Sequence, residues 1–228
     1  MQPDPRRALL VSLLALVAAL PPAAAGPPVV PRLPGKVKLD GRLDEPQWRK
    51  ALRISEASFS RWVADRYTID PDEFALRMFH DGRHLFVSLA SYDRWVQPGE
   101  PPDSADGLYA FSLVAGGGPI QHYRLRWSSN PPQAGGQMID HGRWGARLRG
   151  PYAVPAQPGG GYVLEFSIPL KAAGWKPGGN ARINVIVNDH DGKPGAPYND
   201  PAVQFARFAL GSLDNDDTAR YFTFKLAP

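Results

Sequence analysis

Short runs in which apolar and polar residues alternate dominate this sequence, and they limit the possible folds more than any other feature. Residues 74–79 and 85–89 form the clearest pair of runs, with Asp81-Gly82 between them. A period of two is typical of β-strands, because successive side chains point to opposite faces of a sheet, and Asp-Gly favours the tight turn of a hairpin. Similar runs, separated by Gly, Pro, Asn and Asp, occupy residues 108–114, 122–127, 162–168, 182–188, 204–210 and 221–226. We therefore predict an all-β fold, an antiparallel β-sandwich.

The helical signals in the chain are short. Residues 44–48 predict one turn of helix, with Asp44 as the N-cap and Pro46 in the first turn, and residues 170–173 predict a second short piece. Residues 128–161 are rich in Gly, Pro and small polar residues and predict long loops, with weak strand patterns near 137–139 and 147–148. We therefore expect helices to add little to the core.

Residues 1–25 have the pattern of an export signal. Arg6 and Arg7 precede an apolar run of 13 residues at 8–20, which is followed by Pro21-Pro22 and a stretch of small residues. The run is shorter than the roughly 20 residues that a membrane-spanning helix needs, so we expect a signal peptide that is cleaved. Both ordinary secretion and the twin-arginine route remain open. The expected location is periplasmic or secreted, with no membrane span after cleavage.

The composition after the signal indicates one domain and excludes several kinds of chemistry. Residues 26–35, rich in proline, predict an extended tether, and 36–228 predict a single domain. The absence of cysteine excludes disulfides, a thiol nucleophile and covalent c-type haem. The net charge of the full chain is only +4, and its basic and acidic residues are interspersed, so we expect no nucleic-acid partner. No Gly-x-Ser-x-Gly, His-Glu-x-x-His or phosphate-binding glycine loop is present, which predicts a protein that is not an enzyme.

Clusters of oxygen-bearing side chains suggest a cation site. They occupy residues 188–192, 199–200 and 214–217. Calcium takes six to eight oxygen ligands, although Asx-rich turns without a metal explain each cluster equally well. His80 and His84 are four residues apart, but the hairpin turn between them favours two polar residues that flank a turn over two metal ligands.

Aromatic and basic residues provide the candidate ligand-binding side chains. Trp127 alternates in phase with Tyr123 and Leu125, which predicts a place in the core, whereas His122, Arg124 and Arg126 fall on the opposite face of the same strand. Such a row can donate hydrogen bonds to hydroxyls or carboxylates or simply face the solvent. Trp95 and Trp144 lie in polar, Gly- or Pro-containing surroundings, so we expect them at the surface.

Five segments in order resemble the carbohydrate-binding modules of family 9 and their DOMON-like relatives. They are VKLDGRLDEPQW at 37–48, the strand at 85–89 that leads to Asp93, DGLYAF at 106–111, GYVLEFSIP at 161–169 and INVIVND at 183–189. The resemblance implies a β-sandwich that holds sugar between two tryptophans and binds structural calcium. Pro102-Asp103 stands where the first of those tryptophans is expected, and no tryptophan follows Trp175.

The resemblance also implies a set of site residues. Arg124 matches a position that contacts sugar, and Tyr109 stands where an acidic sugar ligand is expected. With Trp95 and Trp144 as stacking platforms, these residues would recognise a polysaccharide or oligosaccharide on one rim of the sandwich. The calcium ligands implied by the same comparison and by the oxygen-rich clusters are Asp106, Asn188, Asp189 and Asp191.

Two alternatives to glycan binding remain open. DOMON-like relatives include carriers of haem b, for which Met138, followed by His141, is the candidate axial ligand, whereas Met78 alternates in phase with Phe74 and Leu76 as a core residue. A module of the cell envelope that binds another protein is the second alternative.

Overall fold

The computed structural model describes residues 26–63, 74–91, 107–114, 120–129, 132–135, 143–148, 161–191, 204–214 and 216–228. For the strand residues 61–63, 107–110, 114, 120–129, 132–135, 143–148, 190–191 and 204–205, only the backbone is described. The predicted signal peptide and Met138 lie outside the described residues. Within the described ranges, no helix is long and apolar enough to cross a membrane.

Nearly all regular structure in the described residues is strand. One short helix, α1, spans Pro46–Lys50, and single 3₁₀ turns lie at Glu56–Ser58 and Thr218–Arg220. The strands are β1 (Val29–Val30), β2 (Leu52–Ser55), β3 (Ser60–Val63), β4 (Phe74–His80), β5 (His84–Ser91), β6 (Gly107–Val114), β7 (Ile120–Ser129), β8 (Pro132–Gly135), β9 (Arg143–Leu148), β10 (Tyr162–Pro169), β11 (Asn180–Asp191), β12 (Gln204–Leu210) and β13 (Phe222–Leu226).

The strands form two sheets. The larger sheet has the order β1-β13-β11-β6-β7-β8, with β12 beside β11 and β3 beside β12. The smaller sheet has the order β2-β4-β5-β10-β9. β11 is long enough for β13 to pair with its residues 180–183 and β12 with its residues 185–191, while β6 pairs along its other edge.

Apolar side chains from both sheets meet in one core. Phe111 of the larger sheet packs edge-on against Phe166 of the smaller sheet, with ring centroids 5.0 Å apart, and Phe208 packs in the same way against Phe74 at 5.1 Å. Met78 is fully buried in this core, as its alternation predicts. Two mainly antiparallel sheets around a shared apolar interior confirm the predicted β-sandwich.

The hairpin between β4 and β5 forms at Asp81-Gly82, as the sequence predicts. Gly82 has a φ of 95°, a left-handed conformation that glycine adopts without strain. Oδ1 of Asp81 accepts hydrogen bonds from the backbone N–H groups of Arg83 and His84, both at 2.7 Å. The turn is thus closed by the aspartate as well as by the strand ladder. His84 flanks it as expected, but His80 is completely buried.

Part of the predicted tether belongs to the sandwich. Val30 is buried, and Val29 and Val30 pair in parallel with Lys225 and Leu226 of β13. Arg32 then bridges to His80 in the smaller sheet, so this segment joins the two sheets at one side. The backbone N–H and C=O groups along the outer edge of β13 can form hydrogen bonds with an extended segment, and proline is tolerated in such an edge strand. Proline content alone therefore placed the start of the domain too late.

Helix α1 begins later than the sequence predicts and covers one end of the smaller sheet. Glu45, rather than Asp44, occupies the N-cap position, and Pro46 is the first helical residue. Trp48 is buried and packs edge-on against Phe79 at 4.8 Å, and Phe79 in turn stacks on Phe86. This second apolar cluster lies on the side of the smaller sheet that faces away from the main core.

Candidate ligand-binding face

Strand β11 defines two faces of the larger sheet. Ile183, Val185 and Val187 belong to the main core, whereas Asn184, Ile186 and Asn188 alternate with them and point to the opposite side. We call that opposite side the outer face of the larger sheet.

A hydrogen-bonded pair of polar residues lies on this outer face. Nε of Arg207, on β12, donates to Oδ1 of Asn188 at 2.9 Å, and the two residues are direct neighbours across the strands. Asn188 is only 1% exposed, while Arg207 is half-buried. A charge-assisted hydrogen bond to a buried partner restricts the guanidinium to a narrow range of orientations.

Strand pairing extends this pair into a row across five strands. Trp62 of β3 lies opposite Arg207, and Gly107 of β6 lies opposite both Asn188 and Arg126 of β7. Trp62 and Arg207 were not among the site residues predicted from the sequence. The alternation of Arg207 with its neighbours shows that it faces away from the core, but only the pairing of β3 with β12 shows that the two residues are neighbours.

A β-bulge places two predicted site residues side by side. On β6, Leu108 pairs with Leu125 and Phe111 pairs with Tyr123, so the two intervening residues lie opposite the single residue Arg124. One of the two is Tyr109, and the pairing with β11 shifts at the same point. Bulges redirect the backbone locally and are common beside functional sites. The structure therefore brings Tyr109 and Arg124 together in the centre of the larger sheet.

The two predicted stacking tryptophans do not join this row. Trp144 lies on β9 of the smaller sheet, where it pairs with Phe166, a residue of the main core. It is therefore on a different sheet from Arg124 and Tyr109, which loop composition could not indicate. Trp95 lies outside the described residues.

The structure describes the side chains of two members of the predicted calcium set, Asn188 and Asp189, and calcium binding by the set stays a prediction. Asn188 and Asp189 are adjacent on β11, so their side chains leave opposite faces of the sheet. Oδ1 of Asn188 already accepts from a guanidinium, which a calcium ion would repel. Asp106 and the side chain of Asp191 lie outside what the structure describes. In the described ranges, no three His, Cys, Asp or Glu residues are grouped closely enough to hold a metal ion.

The connection from β12 to β13 covers the other end of the outer face. Oδ1 of Asn184 accepts a hydrogen bond at 2.8 Å from the backbone N–H of Ser212, and Arg182 donates to the carbonyl of Thr218. Burial raises the pKa of the Tyr221 hydroxyl, which is hydrogen-bonded to Ser112. This end of the face is therefore filled by the protein itself.

A buried carboxyl group anchors the segment that leads to α1. Glu165 of β10 is fully buried, and its Oε2 accepts a hydrogen bond at 2.7 Å from the backbone N–H of Gly41. Burial raises the pKa of Glu165 to about 8, with a smaller contribution from the charges of Glu45 and Asp40, and the Gly41 hydrogen bond opposes the shift. The group is therefore mostly protonated at neutral pH. The burial of Glu165 was not predictable from the sequence, because a carboxylate in an alternating strand usually faces solvent.

No protein-family model and no curated protein matches the sequence. Solved structures do match. A family 9 carbohydrate-binding module from Caldicellulosiruptor kristjanssonii in complex with cellotriose is 18% identical, with a TM-score of 0.55, and the match covers 87% of this chain and 93% of that chain. The same module in complex with glucose gives the same identity and TM-score over 95% of its length.

A putative carbohydrate-binding protein from Bacteroides uniformis is 11% identical, with a TM-score of 0.49, over 87% of this chain and 97% of that chain. The two matches to the Caldicellulosiruptor module show that this chain has a family 9 carbohydrate-binding module-like fold, as the ordered sequence segments suggest.

Proposed function

From the fold that this chain shares with family 9 carbohydrate-binding modules, we propose that it is an exported, non-catalytic module that binds a glycan. The similar module from Caldicellulosiruptor was solved with cellotriose and with glucose, which supports a sugar as the partner. The signal-like pattern of residues 1–25 supports a periplasmic or secreted location. The ligand would be a polysaccharide or an oligosaccharide.

The row of Trp62, Arg207 and Asn188 carries this proposal. An aromatic ring can stack on the apolar C–H face of a sugar, and a guanidinium can donate several hydrogen bonds to hydroxyl groups. Because Asn188 holds Arg207 in place, less side-chain entropy is lost when a ligand binds. The proposed binding surface is the part of the outer face of the larger sheet around this row.

The centre of that face is made of small residues. Gly107 and Ala110 of β6 lie opposite Asn188 and Ile186 of β11, and Ala209 of β12 packs on Ile186. Ile186, Ala209 and Asn188 are at most 1% exposed, so a sugar would contact this face through the side chains that surround them.

The test is calorimetric titration of the purified protein with oligosaccharides from plant, fungal and bacterial walls. Trp62→Ala should weaken binding at least tenfold, since loss of a stacking ring at the centre of an interface commonly costs more than about 1.4 kcal/mol. Phe222→Leu, on β13 away from the row, serves as the control and should leave affinity unchanged. If the protein binds no member of the panel, glycan binding is wrong and the fold assignment still stands.

A further inference from the structure

We infer that the glycan bound by this face carries negative charge, as uronic acid or sulfated chains do. The inference rests on the proposed function, because it concerns the ligand class of the same face. It comes from the distribution of charge on the larger sheet and from the spacing of two arginines in the row described above.

At the outer-face positions of the described strands, the charged residues are all basic. Among the strands of the larger sheet that the structure describes, no Asp or Glu occupies an outer-face position. Asp189 and Asp191 of β11 fall on the core-facing side of the alternation. The basic residues at outer-face positions are Arg182, His190, Arg207, His122, Arg124, Arg126 and Lys225.

The described connection from β12 to β13 brings acidic residues to one end of this face. Asp214, Asp216 and Asp217 lie in the connection that covers Asn184, where Asp217 is paired with Arg220 at 3.5 Å. Asn188 is four residues further along β11, a distance of about 13 Å at the usual rise of a strand. That distance exceeds the screening length of about 8 Å at physiological salt, so these carboxylates contribute little to the potential at the row.

The geometry of the row suits a chain of charged units. Arg207 and Arg126 are separated by the strands β11 and β6, which places their backbones about 14 Å apart at the usual strand spacing. This backbone separation is longer than one sugar ring, so a chain of linked units can span both positions. Arg124 lies on the same strand as Arg126, at the next position on the same face. Guanidinium groups bind carboxylate and sulfate oxygens with two parallel hydrogen bonds, which favours acidic over neutral sugars.

The experiment compares trigalacturonate, monomeric galacturonate, chondroitin sulfate and cellotriose by calorimetric titration at low and at physiological salt. We expect an acidic chain to bind, the monomer to bind at least tenfold more weakly, and added salt to reduce the affinity. Arg126→Gln and Arg207→Gln should each weaken binding of the acidic chain about tenfold. Arg53→Gln, an exposed site on β2 of the smaller sheet, removes the same charge elsewhere and should have no effect. Circular dichroism confirms that each variant is folded.

The outcomes separate the inference from the function on which it rests. Binding of trigalacturonate or of chondroitin sulfate supports the inference and identifies the charged group as carboxylate or sulfate. Binding of cellotriose alone, insensitive to salt, overturns the inference but leaves glycan binding in place. Loss of acidic-chain binding in Arg53→Gln, with both row variants unaffected, would place the site on the other sheet and overturn the assignment. Binding of none of the four sugars, together with a negative wider panel, removes the proposed function itself.

Discussion

Replacing Glu165 by glutamine should make the stability of this protein less dependent on pH. The glutamate is fully buried, and its Oε2 accepts the N–H of Gly41 at 2.7 Å. Among the residues that the structure describes, Oε1 has no hydrogen-bond partner, and neither does Oγ of Ser88 directly across the strands. Glutamine keeps the shape and one acceptor for Gly41, but it cannot ionise.

The magnitude follows from the difference between the folded and unfolded pKa values. Burial raises the pKa of Glu165 from its ordinary 4.5 to about 8, which corresponds to at most about 5 kcal/mol between the two protonation states. Between these pH values the unfolded chain has released the proton and the folded chain has kept it, so the free energy of unfolding falls as the pH rises. The stabilisation is complete below pH 4.5 and is lost as the pH rises through about 8. From pH 5 to pH 8 the loss is about 3 kcal/mol.

The assay is urea unfolding, followed by tryptophan fluorescence, of the wild type and Glu165→Gln at pH 5 and pH 8. The difference in unfolding free energy between the two proteins should shift by about 3 kcal/mol in favour of the variant at the higher pH. Asp44→Asn, an exposed carboxylate in the same segment, is the matched control and should follow the wild type.

One result would refute this reasoning. If Glu165→Gln and the wild type lose the same free energy between pH 5 and pH 8, then Glu165 is ionised in the folded protein. The carboxylate would then need a positive partner at its second oxygen. If Asp44→Asn instead changes the pH dependence of stability, the group responsible lies in the exposed turn and is not Glu165.

Three further predictions concern the packing around the core and the sheet edges. Burial, with the nearby charge of Arg32, lowers the pKa of His80. The unfolded chain therefore takes up the proton first, and the free energy of unfolding should fall as the pH drops below about 6.5. In urea unfolding, His80→Gln should abolish this loss at acid pH, whereas His84→Gln should retain it. Gly211 has a φ of 116°, and an added Cβ would lie 2.6 Å from Oδ1 of Asn184, so Gly211→Ala should cost about 1–3 kcal/mol. Gly178 has a φ of 80° but open space around it, so Gly178→Ala should cost less. Equal losses of stability for the two variants in thermal unfolding would contradict the steric explanation. Met78→Ala should cost about 2–5 kcal/mol because the side chain is fully buried; a loss under 1 kcal/mol by denaturant unfolding would show that the core relaxes around the cavity.

Local patterns in the sequence predicted eight of the described strands of the sandwich, whereas β1, β2, β3 and β8 were not predicted. Alternation identified the strands that carry the core, and it correctly placed Met78 inside. Asp81-Gly82 predicted a hairpin because its turn needs a positive φ and a side-chain acceptor, both of which are local properties. The proline-rich composition of residues 26–35 did not indicate β1, because pairing of Val30 with Leu226 depends on an edge strand at the other end of the chain.

The candidate site was only partly predictable for the same reason. Alternation places Arg124 on the face opposite Tyr123, and that local inference agrees with the pairing of Tyr123 with the buried Phe111. It does not say that a bulge sets Tyr109 beside Arg124, since a bulge depends on how two strands align.

The sequence by itself therefore determined which residues share a face of each strand, because a strand alternates whatever its neighbours are. Only the tertiary structure decided which strands are neighbours. It joined Trp62 to Arg207 and Arg207 to Asn188, and it buried Glu165 beneath Gly41. These contacts connect segments far apart in the chain, and they arise when the sheets pack and exclude water, which no short stretch of sequence can specify.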